Sequence, residues 1–375
     1  MFVSTISILK ITSGRVVTTG YDAAGWVFSV TGAAPYLQAR YYNAAGQVEE
    51  SVLGNGRVET AVYNSRLQPE SLEVNGGVMR LGYSYGTGDN NGNVRTQSIT
   101  LGGLSYTHTF TYDPLNRLQS AIDSRGVWSQ GYGYDQYGNR WVSWGYVPNP
   151  SLPPVNQGAY LAARNRLTSS AGYGYDAAGN ITSDPLARTF TYDSENRQTS
   201  SSAGASQYFY DGEGRRVKKR SNGVETIYIY NAFGRLVAEY GGAPSTRAVL
   251  FVHTDHLGST RAVTNETGGV QKTHHYLPFG EIVLSTGSGQ DVNSKFKGQE
   301  RDSESGLDFF GARYYSGPQG RSTNPYPLVW LDKRLNLTIN RRDEGPSSKD
   351  EYLRDPQKPR TLHDTTRQTR ASSFW

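Results

Sequence analysis

The sequence predicts an all-β fold, a long antiparallel meander of hairpins curling around a partly wet interior. Three observations predict it. The chain of 375 residues carries 27 Tyr and 43 Gly, with 2 Met and no Cys. Tyr, Thr and Val favour strands and Gly favours turns. A motif Tyr-Asp/Asn-x-x-Gly/Asn recurs at a spacing of about 20 residues. Finally, the strand-like runs have no clean apolar face. In Glu225–Tyr240, Ile227 and Ile229 share one face, and Tyr228 and Tyr230 share the other. A flat sandwich wants one oily face, whereas a curved sheet does not.

The repeat justifies the elements in order. Matches begin at Tyr21, Tyr42, Tyr112, Tyr134, Tyr175, Tyr192, Tyr210 and Tyr230, separated by 21, 70, 22, 41, 17, 18 and 20 residues. The interval of 41 is near two periods, and the interval of 70 contains Tyr63-Asn64 and Tyr85. Asp or Asn after the Tyr can accept backbone amides two or so residues on, as an Asx-turn. Gly or Asn four residues after the Tyr can take φ > 0 and close a type I turn with a bulge. Strand-like residues flank each match, as in Thr109–Tyr112 before Asp113 and Arg215–Val217 after Asp211. In this unit Tyr is read as a packing residue. Val147–Val155, with four prolines, must be a loop.

Composition excludes several function classes. Without Cys there is no disulfide framework, thiolate metal site or thiol nucleophile. A net charge of +5 over this length does not demand nucleic acid, which needs a clustered basic face. The N-terminal apolar run Ile6–Ile11 is short, broken by Lys10 and preceded by no basic residue, so it does not read as a signal peptide. No window approaches the length of a transmembrane helix. Export would therefore use a route not encoded in this chain.

From Phe251 the texture changes. Asp255–Thr264 reads DHLGSTRAVT, Tyr276–Gly280 reads YLPFG, and Gly298–Tyr315 reads GQERDSESGLDFFGARYY. These three motifs, in this order behind the Tyr-Asp repeats, resemble the Rhs (rearrangement hot spot) or YD-repeat family and its repeat-associated core domain. The resemblance covers roughly residues 15–328. It divides the chain into a YD-repeat array (1–245), a core domain (246–330) and a short polar tail (331–375), the tail expected to be disordered. It implies a hollow β-sheet shell, closed at one end by the core, that encloses or delivers a C-terminal toxin or effector in bacterial competition. Other members sit at cell surfaces and are thought to bind carbohydrate. The implied setting is secreted or cell-surface. The implied partners are toxin cargo or further repeats of a longer polypeptide, secretion machinery and surface glycans, with no nucleic acid and no cofactor. Because the chain begins inside the repeat pattern, a truncated or fragmentary member is expected.

Toxin-carrying members release cargo just after the core through two aspartates, in a pattern like Y-Y-D-P-x-x-G-R-F-x-S-P-D-P. Here Ser316 and Tyr326 stand at those positions, while Gly320, Arg321, Pro325 and Pro327 match. An aspartyl pair must share a proton, which Ser and Tyr cannot do, so self-cleavage by this route is not expected. The tail, with ten Lys/Arg and seven Asp/Glu over 331–375, is thin for a toxin domain.

Other residue groups invite chemistry. His253, Asp255 and His256, with His274 and His275, could suggest a metal, but 256 points away from 253 and 255 in a strand. Glu300, Asp302, Glu304 and Asp308 could suggest a glycosidase pair, although ion pairing with Arg301 and turn formation explain them more simply. Lys218, Lys219 and Arg220, beside Arg215 and Arg216, form the densest basic run; alternation would split it between two faces, as in a solvated hairpin. Gly86–Asn93 resembles a calcium loop in composition but lacks its alternating carboxylates, so a plain turn is the simpler reading. No catalytic, cofactor-binding or metal residue is assigned, and no enzymatic activity is expected.

Overall fold

The computed structural model describes residues 5–10, 16–153, 155–161, 165–230, 236–241, 249–311 and 313–325. Among them the chain is β throughout, with four short 3-10 turns and no α-helix. Thirteen strands, from β1 (Thr5–Lys10) to β13 (Arg140–Tyr146), form one sheet in which every strand pairs antiparallel with its sequence neighbours. Two short pairs follow: β14 (Tyr160–Leu161) with β15 (Arg166–Leu167), and β16 (Gly174–Tyr175) with β17 (Ile181–Ser183). A second meander of six strands runs from β18 (Phe190–Tyr192) to β23 (Leu236–Gly241). The long antiparallel meander expected from the repeat is therefore present, in two arrays.

Each repeat turn is built as its residues require. Asp113 Oδ1 accepts from Leu115 N and Arg117 N, both at 2.9 Å. Asp193 and Asp211 repeat this with Glu195 and Arg197, and with Glu213 and Arg215. The fourth position is left-handed, with Gly25 at φ 82 and Gly179 at φ 94. Leu67 takes φ 62 in the turn after Asn64, where a β-carbon is unfavourable. The register shifts just before the Tyr, for example between Thr111 and Tyr112 and between Phe209 and Tyr210. That is the bulge the turn type predicts.

Two further links join each repeat to its neighbour. The Tyr hydroxyl donates to a backbone carbonyl of the preceding unit: Tyr42 to Val27 (2.7 Å), Tyr63 to Val48 (3.0 Å), Tyr112 to Val94 (2.8 Å), Tyr134 to Leu118 (2.7 Å) and Tyr210 to Gln198 (2.7 Å). Tyr is thus a tether as well as a packing residue. The residue after the turn bonds back to the same Asp, as Arg117 Nε does to Asp113 Oδ2 at 2.6 Å. The same guanidinium stacks on the next repeat's Tyr134, 4.5 Å from its centroid.

The core segments lie across both arrays. Strands β24 (Phe251–Thr254), β25 (Thr260–Thr264), β26 (Val270–Tyr276) and β27 (Ile282–Thr286) form a sheet whose Ala262 and Leu277 join Leu81, Ile99, Leu101, Phe110 and Trp128 of the first array in one buried cluster. Strands β28 (Glu300–Asp302), β29 (Leu307–Phe310), β30 (Arg313–Ser316) and β31 (Arg321–Ser322) form another, whose Leu307, Phe309 and Tyr314 pack with Ile181, Phe190 and Tyr208. The same turn chemistry runs into the core. Asp255 Oδ1 accepts from Leu257 N (3.0 Å) and Ser259 N (2.9 Å), and Asn265 Oδ1 from Thr267 N (3.2 Å) and Gly269 N (2.7 Å).

Replacing Tyr134 by Phe removes one tether and leaves the Leu118 carbonyl short of a donor. Urea unfolding should report a loss of about 1 kcal/mol. An unchanged midpoint would show that the hydroxyl link carries no stability.

Candidate functional site

The densest set of chemical groups joins the second array to the end of the core. Strand β21 (Arg216–Ser221) follows the turn at Asp211. Its partner register places Tyr210 opposite Arg216 and Phe209 opposite Lys218, so Val217 is an extra residue in the ladder. The bulge puts Arg216 in phase with Lys219 rather than opposite to it. Both side chains turn inward, and Arg216 is 0% exposed.

Arg216 Nη1 donates to Asp302 Oδ2 (3.0 Å) and to the Tyr314 hydroxyl (2.7 Å), and Nη2 to Glu300 Oε2 (2.5 Å) and the Tyr228 hydroxyl (3.1 Å). Its plane lies 4.3 Å from the centroid of Phe309. Lys219 Nζ lies 2.9 Å from Asp302, 3.4 Å from Glu300 and 3.6 Å from Glu304. The basic run and the acidic run, separate in the sequence, thus form one cluster. The solvated-hairpin reading is corrected for Arg216 and Lys219, and the bulge is the reason. It holds for Lys218 and Arg220, which pair with Glu225 at the surface. The outer Arg215 pairs with Asp211 and Glu213.

The electrostatics favour locking over reaction. Burial alone would raise the Asp302 carboxyl, but Arg216 and Lys219 hold it below the usual range. Burial would likewise lower Lys219, and Asp302 and Glu300 outweigh it. Burial pushes the Asp308 carboxyl up, yet Arg301 holds it in a two-pronged pair at 2.8 and 2.7 Å. These carboxylates have cationic partners and do not form an acid/base pair across an open cleft.

The histidines disperse. His253 bonds Glu59 (2.7 Å) and Thr264 (2.9 Å); Asp255 serves its own turn and pairs with Arg261 (2.8 Å). His256 packs edge-on against Tyr83. His274 lies between Ser285 (2.7 Å) and Asp291 (3.0 Å), and His275 contacts the Tyr106 hydroxyl (2.5 Å). Among the described residues no three His, Asp or Glu side chains converge as a metal would need. In Gly86–Asn93, Asp89 pairs with Arg95 and Asn90 caps Gly92.

Ser316 is buried, and its carbonyl accepts from Gly320 N at 2.8 Å, closing the turn through Gly317 and Gly320. Arg140 of the first array reaches that turn at the Pro318 carbonyl (2.8 Å). Tyr326 and the tail 331–375 lie outside the described residues. Sequence reasoning passed over Arg140 and Asn324, whose side-chain amide donates to the Asn196 carbonyl at 2.6 Å. Neither belongs to a charge run, and a single polar residue gives no local signal of burial.

The fold and this seam define a protein of antiparallel hairpin arrays spanned by the sheets of residues 251–325. The family profile described as Teneurin YD-shell matches residues 226–341. The chain is 26% identical over 318 residues to tRNA nuclease WapA of Bacillus subtilis, covering 74% of this chain and 13% of that protein. It is 24% identical over 326 residues to double-stranded DNA deaminase toxin A of Burkholderia cenocepacia, covering 70% and 21%. The TcdB2-TccC3 crystal structure superposes with a TM-score of 0.66 at 18% identity, over 85% of this chain and 20% of that one. The chain resembles proteins of the Rhs/YD-shell type in sequence and fold, and it spans about a fifth or less of the relatives it matches. Among the described residues no helix is long and apolar enough to cross a membrane.

Asp302→Asn removes the carboxylate that two buried cations share and should cost about 3 kcal/mol in urea unfolding, whereas Lys218→Met should stay within about 0.5 kcal/mol. Equal effects would mean that the cluster carries no special weight.

Acid should loosen the other seam. Burial first, then Arg261 and Arg125, pull His275 down to about 4; burial also lowers His108 and His256. With an ordinary value near 6.5, the unfolded chain binds more protons between about pH 6.5 and 4. Stability is therefore full above that window and falls as pH drops through it. The urea midpoint should be lower at pH 5 than at pH 7, and His275→Gln should make the fall shallower. A midpoint independent of pH across this range would contradict the neutral buried state.

Proposed function

We propose that the chain is a non-enzymatic wall and end-piece of an Rhs-type shell, encapsulating or delivering a toxin or effector carried C-terminal to the core. The observation that carries this reading is that residues 251–325 bind both arrays at once. On the first array, Asn55 Nδ2 donates to the Asn265 carbonyl (2.9 Å) and Arg57 Nη2 to the Gly268 carbonyl (2.7 Å). On the second, Arg216 and Lys219 hold Glu300 and Asp302. A segment that ties two sheets together is suited to closing a container. This role suits a division at 245/246 and 330/331, both of which lie outside the described residues. Relatives named as a tRNA nuclease and a DNA deaminase toxin support cargo of that kind; secretion would rest on machinery outside this chain.

A second reading, contact with surface carbohydrate, is favoured by Trp144 and Tyr146, which are 50% and 60% exposed on β13. Aromatic faces open to solvent can stack on sugars. A glycan array without signal above background would remove this reading.

Encapsulation is tested by fusing a protease-sensitive reporter after Trp375. The fused reporter should be digested several-fold more slowly than the free one, and equal rates would contradict enclosure. Self-release is tested by intact-mass measurement of the purified chain. With Ser316 and Tyr326 in place of the aspartates, one uncut species is expected. A cut within residues 316–328 would overturn that assignment.

A further inference from the structure

Between the first array and the core sheet, four buried side-chain atoms have no hydrogen-bond partner: Gln97 Nε2, His256 Nδ1, Arg261 Nη1 and the Tyr276 hydroxyl. All four residues line one cavity of about 20 Å³, together with His108, Phe110, Asp255, Ser259 and Phe296. Gln97, Arg261 and Tyr276 are 3%, 5% and 3% exposed. A folded protein rarely leaves a buried donor unmet, and each such group calls for an explanation. Four around one space call for a shared one.

The space is large enough for a single water or an ion of that size. The chemistry of the wall selects between them. The amide nitrogen and guanidinium are donors only, and the phenol can donate. The carboxylate of Asp255 is turned away: Oδ1 accepts from Leu257 N and Ser259 N, and Oδ2 from Arg261 Nε at 2.8 Å. A water would need the Tyr276 oxygen and, in one tautomer, His256 Nδ1 as acceptors for its two protons, whereas a halide needs only donors, which Arg261, Gln97 and Tyr276 supply. Arg261, the charged group of the wall with an unmet donor, is positive. The edges of Phe110 and Phe296 are also positive.

We propose that this cavity is a binding site for one small monovalent anion of chloride size, held by Arg261, Tyr276, Gln97 and His256. The ion bridges the first array and the core through donors supplied by both, and so fastens the seam between them.

The test uses the full chain in sodium chloride and in sodium gluconate at equal ionic strength. Chloride should raise the thermal midpoint by about 2 °C or more. Tyr276→Phe removes a hydroxyl without a protein partner, so its midpoint in gluconate should stay near that of the parent while its response to chloride falls to less than about half. In crystals grown with bromide, an anomalous peak should lie within hydrogen-bonding distance of Arg261 Nη1. Equal midpoints in the two salts, an undiminished chloride response in Tyr276→Phe, or an ordered water without anomalous signal in the cavity would each overturn the proposal. So would bromide seen in the crystal without any chloride effect in solution.

Discussion

A guanidinium removed from water must be matched by charge and hydrogen bonds, or the fold that buries it is lost. Arg216 is such a group, and its own array does not supply the match. Tyr228 offers a hydroxyl, but both carboxylates on it come from Glu300 and Asp302. The second array can therefore hold this strand in its observed form only when β28–β31 are docked. The apolar contacts obey the same dependence, since Phe190 and Tyr208 are covered by Leu307, Phe309 and Tyr314. With apolar residues at 36% of the chain, a hairpin array has little oil to spare, and the core segments complete what the walls lack. This makes the core a structural keystone, and its motifs read accordingly. The Asp-His-Leu-Gly-Ser run is one more turn, its carboxylate spent on Leu257 and Ser259 amides, and the Glu-Arg-Asp run is the anionic half of a clasp.

Within the arrays, stability is distributed along the chain. Asp or Asn holds its own turn, the Tyr hydroxyl of most repeats donates to the preceding unit while that of Tyr175 accepts from Leu167 N, and Arg, Gln or Asn four residues on returns to the turn carboxylate or amide. Arg197 and Arg215 show the whole device: a bond to Asp193 or Asp211 at 2.7 Å, with the guanidinium 5.3 or 5.4 Å from the next Tyr ring. Contacts of this kind reach one neighbour only, as in other repeat proteins. Long-range order must come from elsewhere, and the core provides it.

The repeat was legible in the sequence because its determinants are local. An Asx-turn needs one acceptor and one left-handed position, and both appear as letters at fixed spacing. Leu67 hid one such turn, since a residue with a β-carbon stands where Gly or Asn was sought. The role of Tyr was half visible: a phenol on a strand can pack or donate, and the carbonyl that receives it lies a full unit away. Arg216 and Lys219 were read as solvated for a sharper reason. Alternation splits the run between two faces, as it does here, but it does not say that another segment covers one of them, and the extra residue at Val217 sets which side chains face that segment. The partners Glu300 and Asp302 lie some eighty residues downstream, so no local pattern could have joined the two charge runs. His253, His274 and His275 looked like ligands because side-chain type is visible in sequence and side-chain direction is not.

The central claim, that core and array are coupled through the Arg216 cluster, is tested most directly by a double-mutant cycle on Arg216→Met and Asp302→Leu. The full chain would be unfolded in urea for the parent, both single variants and the pair. The account predicts that the double variant is more stable than the sum of the single losses allows, with a coupling energy of about 2–3 kcal/mol. Additive losses, with a coupling energy near zero, would contradict it.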